Sequence, residues 1–344
     1  MLATRLRNQR LVRSSFRRPE DVVAWLGAVQ AQDYAGAAWG VAQRARSLTV
    51  AAIDRACDDG RILRTHVLRP TWHFVAPGDL RWMQALSAPR LRRLLATYDR
   101  RLEIDARLIA RARRIVETAL AGGRSLTREA LADELRRRGR IDARGQRLAH
   151  LVMYLEVDAV ICSGPRQGRQ FSYALVDDRV PPTPNRSRDD AIGELARRYF
   201  QSHGPATVHD FAWWSGLTMG EARRGAATVD AALLLAAPPG PDRVAGADFL
   251  LPKYDEYLIA YRHRGAVLDP ERSRNFGVFT SNEFPHQVVL DGRVAGSWQR
   301  RIGAREAAIA LKLYARPTAA QRQALAAAAV RYGTALGMPC AITF

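Results

Sequence analysis

Two glutamines separated by one alanine, Gln30-Ala31-Gln32, follow the apolar run DVVAWLGAV and precede Asp33 and Tyr34. A primary amide is neutral at every pH, so the pair cannot act as a strong acid or base. What it can do is orient a water molecule through a carbonyl oxygen and present partial negative charge. On an α-helix, residues two apart point about 200° from each other; in an extended segment they share a face. The pair therefore works as a unit only if the helix has ended by Gln30, and the D-Y-A-G that follows is compatible with such a break. Two solvated glutamines on a loop, with Asp33 capping the next helix, is the alternative these residues leave open.

The stretch Leu68-Arg-Pro-Thr-Trp-His-Phe-Val75 offers a second polar column. Strand alternation would put Arg69, Thr71 and His73 on one face, with Trp72 and Phe74 turned to the core. A cation, a hydroxyl and an imidazole then stand in line. An exposed edge strand with His73 as an ordinary surface residue is the competing reading. If this sheet packs beside the loop after the first helix, both polar columns face one groove.

Other chemistries find no residues. The seven histidines show no HExxH spacing and do not lie beside paired cysteines, so no metal site is expected. No GxxxxGK[ST] loop occurs and no GxGxxG follows a strand, so no nucleotide cofactor is expected; a G-x-S-x-G elbow is also missing. Cys57, Cys162 and Cys340 are odd in number and far apart, which suits small buried hydrophobes in a reducing cytoplasm rather than a disulfide framework.

The elements that would hold the polar columns read as helix, helix, helix, then two short strands, a pattern that occurs three times. The expected division is residues 1–76 as a first winged unit, 77–122 as a helical connector, 123–180 as a second winged unit, 181–187 as a linker, and 188–344 as a third unit with a β-rich C-terminal part. In the first unit Pro19 with Glu20 and Asp21 suits a helix first turn, and ILRTHVLRPTWHFVA reads as a strand pair with Pro70 at an edge or turn. In the second, SLTREALADELRRRG and RGQRLAHLVMYLEVD are helices, and AVICSG and QFSYALV are strands joined by the basic turn GPRQGRQ, the wing that carries Arg166 and Arg169. In the third, Thr218 and Glu221 form a capping box, HQVVLDGRVAGSW is a hairpin turning at Asp-Gly, and CAITF is a terminal strand. The fold class expected is α+β, mostly helical, with tandem winged helix-turn-helix units.

Charge points to the partner. The 344-residue chain carries a net charge of +19, and apart from Lys253 and Lys312 its 53 basic residues are all arginine. A GC-rich genome accounts for arginine over lysine but not for the excess of positive charge. Such an excess favours a polyanion, because each neutralised phosphate releases counterions and arginine binds phosphate in two-pronged fashion. With hydrophobic residues at 47% the chain packs real cores. No apolar run reaches about 18 residues, and the first residues have no signal-peptide core, so a cytoplasmic, nucleoid-associated protein is expected, without membrane contact.

QAQ after the first helix, the LRPTWHFV strand and the later LLPKYDEYLIAYRHR together resemble the AlkZ/YcaQ family of winged-helix DNA glycosylases, in the same order and over essentially the whole chain. The resemblance implies a C-shaped tandem of three winged-helix units around duplex DNA. Gln30-Ala31-Gln32 matches the Gln-x-Gln branch of the family's catalytic signature. It implies a monofunctional glycosylase that excises N7-alkylated guanine, including bulky antibiotic adducts or interstrand crosslinks, with the damaged base left largely in the duplex. Gln30 and Gln32 are then the catalytic pair. Arg69, Thr71, His73, Asp33, Tyr34, Arg166 and Arg169 form the expected DNA-contact set, and a monomer without cofactor is expected. Asp255, Tyr257 and Arg262 also match family positions, with a structural role as the plainer account. A non-catalytic winged-helix regulator is the alternative function, although such regulators usually read palindromes as dimers, whereas this chain carries three different units.

Overall fold

The computed structural model describes residues 1–269 and 284–343. The first part of the chain forms helices α1 (Leu2–Asn8) and α2 (Pro19–Leu26), strand β1 (Val29–Gln30), helices α3 (Tyr34–Ala42) and α4 (Val50–Asp58), and strands β2 (Leu63–His66) and β3 (Trp72–Val75). Pro19 opens α2 with Glu20 and Asp21 in its first turn, and Gly27, at φ 81°, closes it. That left-handed conformation is natural to glycine and turns the chain out of the helix.

A long helix α5 (Pro77–Leu102) leads to α6 (Ala106–Leu120), β4 (Leu126–Thr127), α7 (Arg128–Gly139), α8 (Gly145–Val157), β5 (Ile161–Ser163), β6 (Ser172–Leu175) and α9 (Val176–Arg179). The first two units share one topology. Their sheets have strand orders β1-β3-β2 and β4-β6-β5, and in each a two-residue strand between the first and second helices adds to the hairpin. Neither short strand stands out in the sequence, since two residues show no periodicity.

Two expectations change here. Helix α6, read as part of the connector, packs Ala112, Val116 and Leu120 into one core with Leu131, Leu151, Ile161 and Tyr173, and so is the first helix of the second unit. Helix α5, the part of the connector that remains, is a single helix that contains Pro89. Helix α1, assigned to the first unit by position, buries Leu2 and Leu6 with Phe249, Tyr257 and Val294 of the C-terminal part.

Beyond the linker come α10 (Arg188–His203), β7 (Ala206–Thr207), α11 (Val208–Ser215), α12 (Met219–Ala226) and β8 (Leu234–Leu235). The Thr218–Glu221 capping box forms, and Thr207 with Asp210 makes a second one at α11. The third unit departs from the winged pattern: its sheet is the parallel pair β7–β8, not a hairpin. The C-terminal part holds β9 (Phe249–Leu251), α13 (Glu256–Ile259), β10 (His286–Leu290), β11 (Arg293–Ile302), β12 (Ala307–Leu313), α14 (Ala319–Leu336) and β13 (Cys340–Thr343). Its five strands are ordered β13-β12-β11-β10-β9. Asp291 and Gly292, both at positive φ, make the expected tight turn between β10 and β11. Phe344 of the expected terminal strand lies outside the described residues.

The C-terminal sheet shares a core with the first unit: Trp298, Tyr332 and Leu250 pack with Trp39, Ile53 and Phe74. A second core joins the β2–β3 region and α5 to the third unit through Leu63, Val67, Met83, Tyr199, Phe211 and Trp214. The first unit is therefore clamped by later parts of the chain, and the loop after α2 lies where these cores meet. Cys57 and Cys162 are buried as expected, whereas Cys340 on the outer strand is half-exposed. No helix among the described residues is long and apolar enough to cross a membrane.

Candidate active site

Both glutamines lie past the end of α2, Gln30 in strand β1 and Gln32 in the bend that follows it. Gln30 is paired with His73 across an antiparallel ladder. The Ala31 N–H continues it, donating to the Trp72 carbonyl at 2.7 Å. Ala31 is fully buried, Gln30 is half-buried and Gln32 is exposed, so the two amides share the face that Ala31 turns away from. The geometric condition for joint action is met.

Each amide oxygen is held from behind. Arg69 Nη2 donates to Gln30 Oε1 at 3.4 Å and to His73 Nε2 at 3.4 Å. The Trp72 N–H donates to Gln32 Oε1 at 3.4 Å. His73 Nδ1–H donates to the Thr71 carbonyl at 2.9 Å, which fixes the tautomer and leaves Nε2 as acceptor. Burial, with the Arg69 cation beside it, pushes the imidazole down to about 3, so it is neutral at physiological pH.

The strand reading of Leu68–Val75 needs correction. The strand begins at Trp72; before it, Leu68 has φ 62° and two tight turns follow, with Arg69 N–H donating to Val67 O at 2.6 Å and Thr71 N–H to Arg69 O at 2.7 Å. Pro70, which lacks an N–H, accounts for the break in strand pairing. Arg69 still reaches Gln30 and His73, but from a turn. His73 is fully buried instead of lining an open face. Thr71 contributes its carbonyl, while its hydroxyl is buried without a partner among the described residues. Trp72 is half-buried, not core. Its ring lies 4.6 Å from His66 and 4.3 Å from the Arg64 guanidinium, and its indole N–H donates to Glu156 at 3.3 Å.

The remaining expected contacts divide. Arg166 is clamped by acids, with Nη2 3.1 Å from Asp58 and Nη1 3.0 Å from Asp54. These pin the second unit's wing to α4, and its charge is already matched. Arg169, at the wing tip, is exposed. Tyr34 donates its hydroxyl to Asp54 at 2.7 Å and sets its ring against Phe74 and Phe171, so it faces inward. Asp33 stands at the N-terminus of α3 without capping it and lies 3.6 Å from Arg300. Asp255 forms a buried two-pronged ion pair with Arg44, and Tyr257 donates to the Gly292 carbonyl at 2.7 Å. Both are structural. Arg262 exposes its side chain, and its backbone N–H donates to Asp210 at 2.9 Å.

Two neighbours of the glutamines went unread. Arg64 donates from Nε to the Ala31 carbonyl at 3.1 Å and lies between the rings of Trp72 and Phe171. Glu256 accepts the Gln30 N–H at 3.1 Å and the Trp214 indole N–H at 2.9 Å. Burial would raise its pKa, but His203, then Arg69 and the Gln30 amide, outweigh that and hold it at about 2. A signal for Glu256 was present: an acid heading the apolar run YLIAY must be buried with it, and buried acids are partnered. Among the described residues no three His, Cys, Asp or Glu side chains converge to hold a metal ion.

Residues 23–335 match the family described as DNA glycosylase AlkZ-like. A curated relative, an interstrand DNA cross-link repair glycosylase of Streptomyces sahachiroi, is 25% identical over 310 residues, 81% of this chain and 81% of its own length. The solved structure of the Streptomyces sahachiroi DNA glycosylase AlkZ aligns with a TM-score of 0.77 at 23% identity, covering 99% of this chain and 98% of that one. That likeness shows the same fold from end to end.

Proposed function

Since the chain belongs to the AlkZ-like family of DNA glycosylases, hydrolases of N-glycosyl bonds, we propose that its substrate is N7-alkylated guanine in duplex DNA. Bulky antibiotic adducts fall within this range, as do interstrand crosslinks, which the name of the Streptomyces sahachiroi relative mentions. The product is an abasic site. The observation that carries the reading is the pair Gln30 and Gln32 beyond the end of α2, their amide oxygens held by Arg69 and the Trp72 amide.

Guanine alkylated at N7 is cationic. The C1′–N9 bond breaks with its electron pair entering the base, which leaves neutral and needs no protonation. Water oxygen bonds to C1′, and its proton passes to solvent. The protein's task is then to position the water and to tolerate a cationic sugar. An amide oxygen accepts two hydrogen bonds. In each glutamine one is taken by the protein, which fixes the amide plane, and the other is free for water or lesion. Neutral His73 braces Arg69 and is too weak a base to take a proton from water near pH 7.

In this reading the duplex lies in the concave face of a C-shaped monomer acting at the nucleoid. Arg169 meets phosphate, Arg69 braces the Gln30 amide, and Arg166 and Tyr34 hold the units together. Incubating the protein with a duplex bearing one N7-methylguanine, then treating with hot alkali, is expected to cut the strand at the lesion. Gln30→Ala and Gln32→Ala are each expected to slow single-turnover excision roughly 10- to 1000-fold. Wild-type protein inert on this lesion and on bulky N7 adducts would sink the reading; active variants at both positions would move the site elsewhere.

A further inference from the structure

Arg69 sits directly behind Gln30, and burial works against its charge. A positive charge there opposes both a cationic base and a cationic sugar. Glu256 answers it. The carboxylate is 1% exposed. One oxygen takes the Gln30 N–H at 3.1 Å; the other takes the Trp214 indole N–H at 2.9 Å and lies 3.5 Å from His203 Nε2. His203 is itself fully buried, stacked on Tyr199 at 5.0 Å, with Nδ1 2.8 Å from Ser202 Oγ. The carboxylate thus joins β1 of the first unit to α10 and α11 of the third.

Two N–H donors meet the two oxygens of this acid. A glutamine carbonyl could take the Gln30 N–H, but its NH2 would then face the Trp214 indole N–H, so the acid supplies a second acceptor. The acid also supplies negative charge, which acts on Arg69, the cation held against the Gln30 amide.

We propose that Glu256 is a positioning residue for base excision, anchoring the Gln30 backbone and cancelling the field of Arg69 so that two neutral amides meet a cationic reaction centre without repulsion. The inference rests on the reading of Gln30 and Gln32 as the reacting pair. It sets two demands on Glu256: a backbone contact and a charge. The single substitution compared with the double one that also neutralises Arg69 separates them.

The test uses the full chain, a duplex with one N7-methylguanine for rate, and a duplex with a tetrahydrofuran abasic analogue for affinity. Glu256→Gln keeps an acceptor for the Gln30 N–H, and removes the charge together with the acceptor that faces Trp214. It is expected to lower the single-turnover rate roughly 10- to 100-fold while affinity for the analogue stays within about twofold and the far-ultraviolet circular dichroism is unchanged. Adding Arg69→Gln restores neutrality, and the double variant is expected to excise at least about threefold faster than Glu256→Gln alone. A Glu256→Gln rate within twofold of wild type overturns the proposal. So does a loss confined to affinity, or a double variant no faster than the single one. If Glu256→Gln does not fold, the double variant, which leaves neither buried charge alone, carries the test. It is then expected within about tenfold of wild type, and a larger loss overturns the proposal. Gln30→Ala run in parallel keeps the two readings apart: an inactive Gln30→Ala beside an unaffected Glu256→Gln removes only this inference, whereas inactive wild type removes the substrate reading and this inference with it.

Discussion

Gln30, Arg69 and His73 form a short chain of contacts in which no group titrates near neutrality. The amides do not ionise, and His73 is pushed down to about 3. Excision of N7-methylguanine by the protein is therefore expected to be flat from pH 6 to 9, measured as single-turnover rate at constant ionic strength. An inflection near 6.5 would show an ordinary histidine in the reaction and contradict the two-amide mechanism. At this scale the sequence was partly legible. QAQ could be recognised as a pair because its condition for joint action, extended backbone, is simple. His73 could not be read as buried, because alternation assigns a face and not a depth.

The second unit's wing shows how elements redistribute charge. Arg166 and Arg169 are three residues apart on one basic turn and look equivalent in the sequence. Arg166 meets Asp54 and Asp58 on α4, while Arg169 is exposed at the tip. Their alanine variants are expected to separate. Arg166→Ala leaves two carboxylates without their shared partner, and should cost about 1–3 kcal/mol of stability in denaturant unfolding. Arg169→Ala should leave stability unchanged, weaken duplex affinity uniformly across sequences, and reduce the slope of log affinity against log salt by about 1. The same scale holds two missed pieces, β1 and β4. Each is two residues long and exists because a neighbouring strand offers partners. One of them, β1, carries Gln30.

For the whole molecule, acid is the natural probe of the buried polar groups. Unfolded, the His73 and His286 side chains take up protons near 6.5; folded, burial first and neighbouring cations second delay this to about 3 and about 4. Between those limits the unfolded chain binds more protons, so stability rises with pH and is lost on acidification. Glu256 acts in the same sense at lower pH, since its folded value near 2 lies below the ordinary 4.5. The melting temperature is expected to be level above pH 7 and to drop roughly 5–10 °C by pH 4.5, measured by scanning calorimetry. A Tm that is unchanged or rises over that interval would contradict the buried neutral state of both histidines. Binding should follow the +19 charge, with duplex affinity falling steeply between 50 and 200 mM salt.

The sequence by itself determined the helices, the repeated helix-and-strand units, the cationic character and the QAQ segment. These depend on local periodicity, capping residues, turn glycines and counted charge, all of which act within a few residues. It did not determine which helices share a core, why the third unit lacks a hairpin wing, or which arginines are free. Those depend on partners tens to hundreds of residues away: Asp58 for Arg166, Ala31 for Arg64, and Gln30 for Glu256, 226 positions later in the chain. The amides at residues 30 and 32 are local facts. The cation and the carboxylate that set the field around them belong to the tertiary structure, because electrostatic partners are chosen by distance in space and by burial, and neither is written in the spacing of residues along the chain.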